Sequence, residues 1–253
     1  MTWLDIKLRQ YIDIDAIVKD SELSDEERLV ALCQAVYGVN ILQQPFTEYA
    51  RYTQGLAFLN EKMPDMTLSD TYVINGTSYV FNKSVKNFTV GQFMDYQSYA
   101  KGEKSLDTYA SILTIFLIPE GCKYNDGYDI AKARKDMLDL PAPVALSMAA
   151  FFFDMLEKLC QSFPLIFNVE SADDQENSES PEEGNTDTDE GDDKKTSDGW
   201  GLLPLIMLYV KETRTPVDTV FDTPVGEFFW ISSYLLERNE RELARLRSMR
   251  KQR

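Results

Sequence analysis

A mainly α-helical chain is predicted here: a helical bundle carrying one small β-hairpin, then a disordered linker, then a short C-terminal helical module. Three observations lead to this reading. Apolar residues recur at helical spacing in successive segments that close on Gly or Pro. One stretch switches to period two, around Asn75-Gly76. Between Val169 and Asp198 aromatics are missing and thirteen acids face only Lys194 and Lys195. Such a composition cannot bury enough apolar surface to offset its ordering entropy. The expected organisation is residues 1–168 as a helical domain with a hairpin near 72–81, residues 169–198 as an acidic disordered linker, and residues 199–253 as a small helical module.

The elements follow in order. Around Asp5 to Lys19, Leu4, Leu8, Tyr11 and Ile12 can share one helical face. Ser24 followed by Glu27 makes a capping box, in which each side chain satisfies the other residue's free backbone N–H. Leu29, Leu32, Cys33, Val36 and Tyr37 then recur at helical spacing up to Gly38, the expected stop. After Pro45 a second helix is expected over Thr47 to Glu61, ending before Pro64.

Tyr72, Ile74, Tyr79 and Phe81 alternate about Asn75-Gly76, a dipeptide that tolerates the positive φ angles of a type I′ turn. Two short strands are predicted there. Thr89 with Gln92 forms another capping box opening a helix through Val90, Phe93, Met94 and Tyr96, and helical spacing resumes from Leu106 to Ile118, stopped by Pro119 and Gly121. Glu120 to Asp129 reads as a turn-rich loop, Ile130 to Leu138 as a short helix ended by Pro141. From Pro143 to about Cys160 a helix apolar on every face, including Phe151, Phe152 and Phe153, is expected at the centre of the first domain.

Beyond the linker, Trp200, Leu202, Leu203, Leu205, Ile206 and Tyr209 fall in one helix. Pro216 to Val220 is a connector or single turn, and Pro224 opens a last helix through Phe228, Phe229, Ile231, Tyr234, Leu235 and Leu236. Its tail, Arg238 to Arg253, is solvent-like and ends basic, which suits a helix C-terminus.

Charge and composition exclude several function classes. The net charge of -16 is concentrated in the linker, which holds -11 of it, so the remainder is close to ordinary. The three cysteines, Cys33, Cys122 and Cys160, are far apart and lack C-x-x-C spacing, which argues against a disulfide framework or a thiolate metal site. Met1 to Gln10 has no uninterrupted apolar run, so no secretory signal is expected, and the longest apolar stretches are about half the roughly 20 residues a bilayer span requires. No membrane association is predicted.

The chain contains no histidine. Ser-His-Asp and Cys-His nucleophiles and imidazole metal ligands are therefore excluded, leaving carboxylates, lysine or tyrosine for any acid–base work. No Glu or Asp pair stands in a recognisable catalytic context, so no catalytic, metal or cofactor-binding residue is assigned. Asn125, Asp126 and Asp129 surround Gly127, but N-D-G-Y-D lacks the alternating ligands and distal Glu of a calcium loop, and a plain turn is the better reading. Gly76, Gly91, Gly121 and Gly127 are isolated and make no phosphate-binding loop.

Two features suggest binding. The basic residues Arg238, Arg241, Arg245, Arg247, Arg250, Lys251 and Arg253 could meet nucleic acid, an acidic partner or the chain's own linker, although interleaved Glu237, Glu240 and Glu242 favour a solvated helix end. Phe228, Phe229 and Trp230 cover all azimuths of a helix in a module too small to bury everything; docking onto the first domain and serving as a partner surface are both open.

The segments TVGQFMDYQ, IFLIPEGCKYNDGYDIAKARKDMLDLP and VALSMAAFFFDMLEKL, within Thr89 to Lys158, together with AVYG at Ala35 to Gly38 and the N-G hairpin, resemble proteins from the tail-morphogenesis genes of tailed phages and prophages, especially of Bacteroidetes hosts. The resemblance spans about residues 1–160, and the segment GLLPLIMLYVKETRTPVDTVFDTPVGEFFWISSYLLE likewise resembles C-terminal modules of such proteins. This family is described as tail assembly chaperones, which hold the hydrophobic tape measure protein and recruit tail tube subunits. The resemblance implies those partners, no cofactor, no catalysis, and a place in the cytoplasm of the bacterial host. It carries over no individual functional residue, so the partner-binding residues are unassigned. The alternatives are a structural virion protein (ring, connector or cargo) and a nucleic-acid-associated regulator using the basic tail. Nucleic acid is the disfavoured partner; a homo-oligomer is open.

Overall fold

The computed structural model describes residues 1–101, 106–124, 126–167 and 202–251. The expected disordered linker lies outside the described residues. Among them are eleven α-helices: α1 (Leu8–Lys19), α2 (Asp25–Tyr37), α3 (Phe46–Gly55), α4 (Val90–Lys101), α5 (Leu106–Phe116), α6 (Ile130–Met137), α7 (Ala142–Gln161), α8 (Pro164–Phe167), α9 (Leu203–Thr213), α10 (Val217–Asp222) and α11 (Val225–Lys251). They accompany one small antiparallel sheet of β1 (Thr71–Ile74), β2 (Thr77–Phe81) and β3 (Leu117–Pro119), in the order β1-β2-β3. The fold is mainly α, as the apolar spacing predicts.

The chain divides into two compact units. The first comprises Met1–Asn87 and Gln92–Met155, the second Phe88–Gly91 and Leu156–Arg253. In the first unit, α2 starts at the Ser24–Glu27 capping box and stops at Gly38, whose φ of 70° is the left-handed conformation that glycine adopts without a Cβ penalty. Its Cys33 and Val36 join Trp3, Ile6, Ile14, Ile41, Leu56, Phe58 and Ala142 in one buried cluster. The Trp3 indole N–H donates to the Glu61 carbonyl at 3.0 Å, so its polar edge is satisfied while its ring meets Phe58 in a T-shaped contact. The entry to α1 lies against the α6–α7 connection: Leu8 N–H donates to Leu140 O at 2.8 Å and Ala142 N–H to Ile6 O at 2.7 Å.

The hairpin forms as predicted. Asn75 and Gly76, with φ of 48° and 78°, make the turn between Ile74 and its partner Thr77. Alternation buries Ile74, Tyr79 and Phe81. Two expectations need correction. The helix expected over Leu106–Ile118 ends at Phe116, and Leu117–Pro119 pairs with β2 as a third strand, Phe81 opposite Leu117 and Tyr79 opposite Pro119. The run Leu117-Ile118-Pro119 is apolar enough for either state, and the partner strand decides. The helix expected over Thr47–Glu61 spans Phe46–Gly55 and is followed by a separate 3-10 turn, Ala57–Asn60, that brings Leu56 and Phe58 into the core.

Helix α7 holds the centre of the first unit through Phe152, fully buried, which stacks on Phe116 at 3.4 Å between ring centroids and meets Phe81 edge-on at 5.1 Å. Phe153 turns toward Tyr96 and Tyr109. Burying aromatic area of this kind is the main stabilising contribution, and offset or edge contacts add to it.

In the second unit, Phe228 packs on Tyr209, and Phe229 packs edge-on against Phe163 and Phe167. The expected connector Pro216–Val220 is the short helix α10, with Pro216 at its N-cap. Phe88–Gly91 belongs to this unit through a bridge: Val90 N–H donates to Thr223 O at 3.0 Å, and Val225 N–H to Phe88 O at 2.7 Å. Gly91 suits that approach, because a Cβ there would stand a tight 3.3 Å from the Phe221 carbonyl oxygen.

Candidate partner-binding surfaces

Three places in the described residues combine side-chain chemistry with shape. The first is a buried carboxylate at the end of α6. Asp136, 3 % exposed, accepts from the Asn75 amide at 2.9 Å and from the Tyr79 hydroxyl at 2.7 Å. Asn75 also donates to Asp139 at 2.9 Å, and Asp139 is paired with Lys7 at 2.9 Å and Arg9 at 2.6 Å. Burial, then the hydrogen bond to Asp136, pushes the Tyr79 phenol well above its ordinary range. Burial alone would raise the Asp139 carboxyl, but hydrogen bonds from Asn75 and Lys7 and the charges of Arg9 and Lys7 outweigh it and hold the group below its usual value. Each of these groups is paired with another member of the cluster. The arrangement therefore fastens the hairpin tip to the α6–α7 corner.

The N-D-G-Y-D loop resolves similarly. Asn125 lies outside the described residues. Asp126 N–H donates to Lys123 O at 3.1 Å in a tight turn, and Gly127 takes a φ of 79°. Asp129 caps α6, its carboxylate accepting from the amides of Ala131 and Lys132. The Asp129 carboxylate is thus spent on backbone amides at the start of α6. Beside it, the Tyr124 hydroxyl donates to Asp95 at 2.5 Å, and burial followed by that bond raises the phenol far above its ordinary range.

The second place is an aromatic cleft of about 430 Å³ in the first unit, lined by Tyr96, Tyr99, Thr108, Tyr109, Ile112 and Phe153. Its aromatic rings pack on one another, with Tyr109 and Tyr96 each about 6 Å from Phe153 between ring centroids. Such a wall accepts apolar or aromatic side chains and offers few fixed polar groups.

The third is the surface of the C-terminal helices. The aromatic run divides: Phe228 and Phe229 are fully buried within the second unit, whereas Trp230 is 68 % exposed. Tyr234, one turn on, is exposed too, as is Met207 on α9. Exposed indole and phenol rings one turn apart are characteristic anchors of protein–protein contacts. The basic tail is helical as far as Lys251, with Arg238 paired to Glu212 and Arg241 to Glu237; Arg253 lies outside the described residues. The Glu212 pair raises the Arg238 guanidinium further and lowers the Glu212 carboxyl. Two of the basic residues are therefore engaged within the module, and Arg245, Arg247 and Arg250 are solvent-exposed beyond it.

No helix among the described residues is long and apolar enough to cross a membrane. Sequence reasoning singled out Trp230 only as part of an undivided aromatic run, and it missed the Asp136–Asn75–Tyr79 cluster, whose members are up to 61 residues apart. A buried Asp has no signature in sequence unless its partners are known. Comparison with protein-family models, with curated proteins and with solved structures finds no match to this chain.

Proposed function

We propose that this chain is a non-enzymatic binding protein of phage tail morphogenesis, a tail assembly chaperone that engages the tape measure protein and tail tube subunits in the cytoplasm of a bacterial host. The observation that carries the reading is the set of segments TVGQFMDYQ, IFLIPEGCKYNDGYDIAKARKDMLDLP and VALSMAAFFFDMLEKL, which resemble that family across the first 160 residues. Physical chemistry supplies the means. A helical client is held by apolar side chains set into grooves or against exposed rings, and the exposed Trp230–Tyr234 pair and the aromatic cleft are surfaces of that kind. The tethered C-terminal module adds a second contact at an effective concentration set by its linker. The net charge of -16, most of it between Val169 and Asp198, favours solubility of a chain that exposes such surfaces.

The test is co-expression of the full chain with the tape measure protein and the tail tube subunit of the same gene cluster, followed by size-exclusion chromatography. A complex with either is expected, weakened about tenfold or more when Trp230 and Tyr234 are both replaced by Ala, since anchors of this kind carry upward of 1.4 kcal/mol. Failure to bind either protein contradicts the reading.

A further inference from the structure

Helix α11 is 27 residues long, about 40 Å at 1.5 Å per residue, whereas α9 beside it has only 11. The last turn of α9 reaches α11 at the Glu212–Arg238 pair. From Arg241 to Arg250 every residue of α11 is exposed.

The apolar seam of α11 does not stop where its cover stops. Val225, Phe229 and Ser232 are fully buried and Leu236 and Asn239 half-buried. The same alternation of four- and three-residue steps then continues to Leu243 and Leu246, which are 53 % and 57 % exposed. From Val225 to Leu235 this face, widened by buried Phe228 and Leu235, is core of the second unit; beyond it Leu243 and Leu246 keep the three–four spacing of a coiled-coil seam and stand open. The ion pairs of Arg238 and Arg241 lie off this seam.

We propose that Leu236–Arg250 of α11 pairs in parallel and in register with the same segment of a second copy of this chain. The seam is complementary to itself. In-register pairing sets Leu243 on Leu243 and Leu246 on Leu246, and it brings the two Asn239 side chains together, where each amide can donate to the other. A shifted register would set Asn239 against leucine and leave a buried amide without a partner. The flanking charges agree. Glu242 and Arg247 occupy the two positions that meet across a parallel pair five residues apart, so each copy's Glu242 faces Arg247 of the other. Arg250, at the next core position, places like charges together and ends the seam. Trp230 and Tyr234 lie away from the seam and stay free. This inference stands independently of the chaperone reading.

The experiment is light scattering of the full chain in low salt over a series of concentrations. The expected mass at high concentration is twice the 29.0 kDa of the chain. Leu243→Asp with Leu246→Asp should return the 29.0 kDa species with an unchanged circular dichroism spectrum, because both side chains are exposed in the single copy. Glu242→Arg should weaken the dimer, and adding Arg247→Glu should restore it. Leu246→Cys should cross-link to itself on oxidation in a background where Cys122 and Cys160 are Ser. A monomer at every concentration overturns the proposal, as does a dimer indifferent to the paired Asp substitutions, a charge reversal without effect, or failure of the Leu246→Cys protein to cross-link.

Discussion

Replacing Tyr79 by Phe removes a single oxygen from the fully packed face of β2 and leaves the ring in place. That oxygen donates to the Asp136 carboxylate at 2.7 Å, with Tyr79 1 % and Asp136 3 % exposed, so water has no route to replace it. A hydrogen bond to a charged acceptor contributes about 1.5–3 kcal/mol, and its loss leaves Asp136 with the Asn75 amide alone. Thermal unfolding followed by circular dichroism should register this as a fall in midpoint of roughly 3–12 °C, since 1 kcal/mol moves the midpoint about 2–4 °C in a chain of this size. The pH dependence has a fixed sign. The folded-state phenol is raised above its unfolded value of about 10, so its contribution is fully present below that value and is lost as pH rises through the folded one. The wild-type protein should therefore lose stability above about pH 10 more steeply than Tyr79→Phe. A Tyr79→Phe protein within about 0.5 kcal/mol of wild type would refute the reasoning, because that is the range of substitutions that touch nothing.

Three further outcomes are expected. Phe152→Ala empties the space between Phe116 and Phe81 and should cost about 3–5 kcal/mol in urea unfolding; a loss below about 1 kcal/mol would show that α7 is not central. Gly91→Val must place a branched side chain where even a Cβ lies 3.3 Å from Phe221 O, so hydrogen exchange at Val90 and Val225, the amides of that bridge, should accelerate, and unchanged protection would contradict the close approach. On the acid side, the lowered Asp139 carboxyl contributes stability above its unfolded value near 4 that is lost as pH falls through the depressed folded one. Asp139→Asn should flatten that acid limb, and an identical acid profile would exclude the Lys7–Arg9–Asp139 cluster as its source.

Local signals carried much of the fold. Ser24 with Glu27 and Gly38 bracket α2 because capping and left-handed stops are properties of single residues and their near neighbours. The hairpin was legible for the same reason, since alternation and Asn75-Gly76 both act within ten residues. Strand β3 was not, because Leu117–Pro119 becomes a strand only by pairing with β2 some 38 residues earlier. Gly91 has no local signature either, because its constraint is the Phe221 carbonyl some 130 residues on. The surfaces were less legible still. An exposed Trp230 and a buried Phe229 look alike in sequence, and only the positions of Phe163 and Phe167 distinguish them. The seam at Leu243 and Leu246 was obscured by the surrounding arginines, which made the tail look solvated on every side.

The proposed function is tested most directly by quantitative proteomics of purified phage particles beside the lysate of induced or infected cells. If the chain is the tail assembly chaperone proposed, it leaves before the particle matures and should be abundant in the lysate and absent from the particles. A fixed number of copies in every particle would contradict that and make it a structural virion protein.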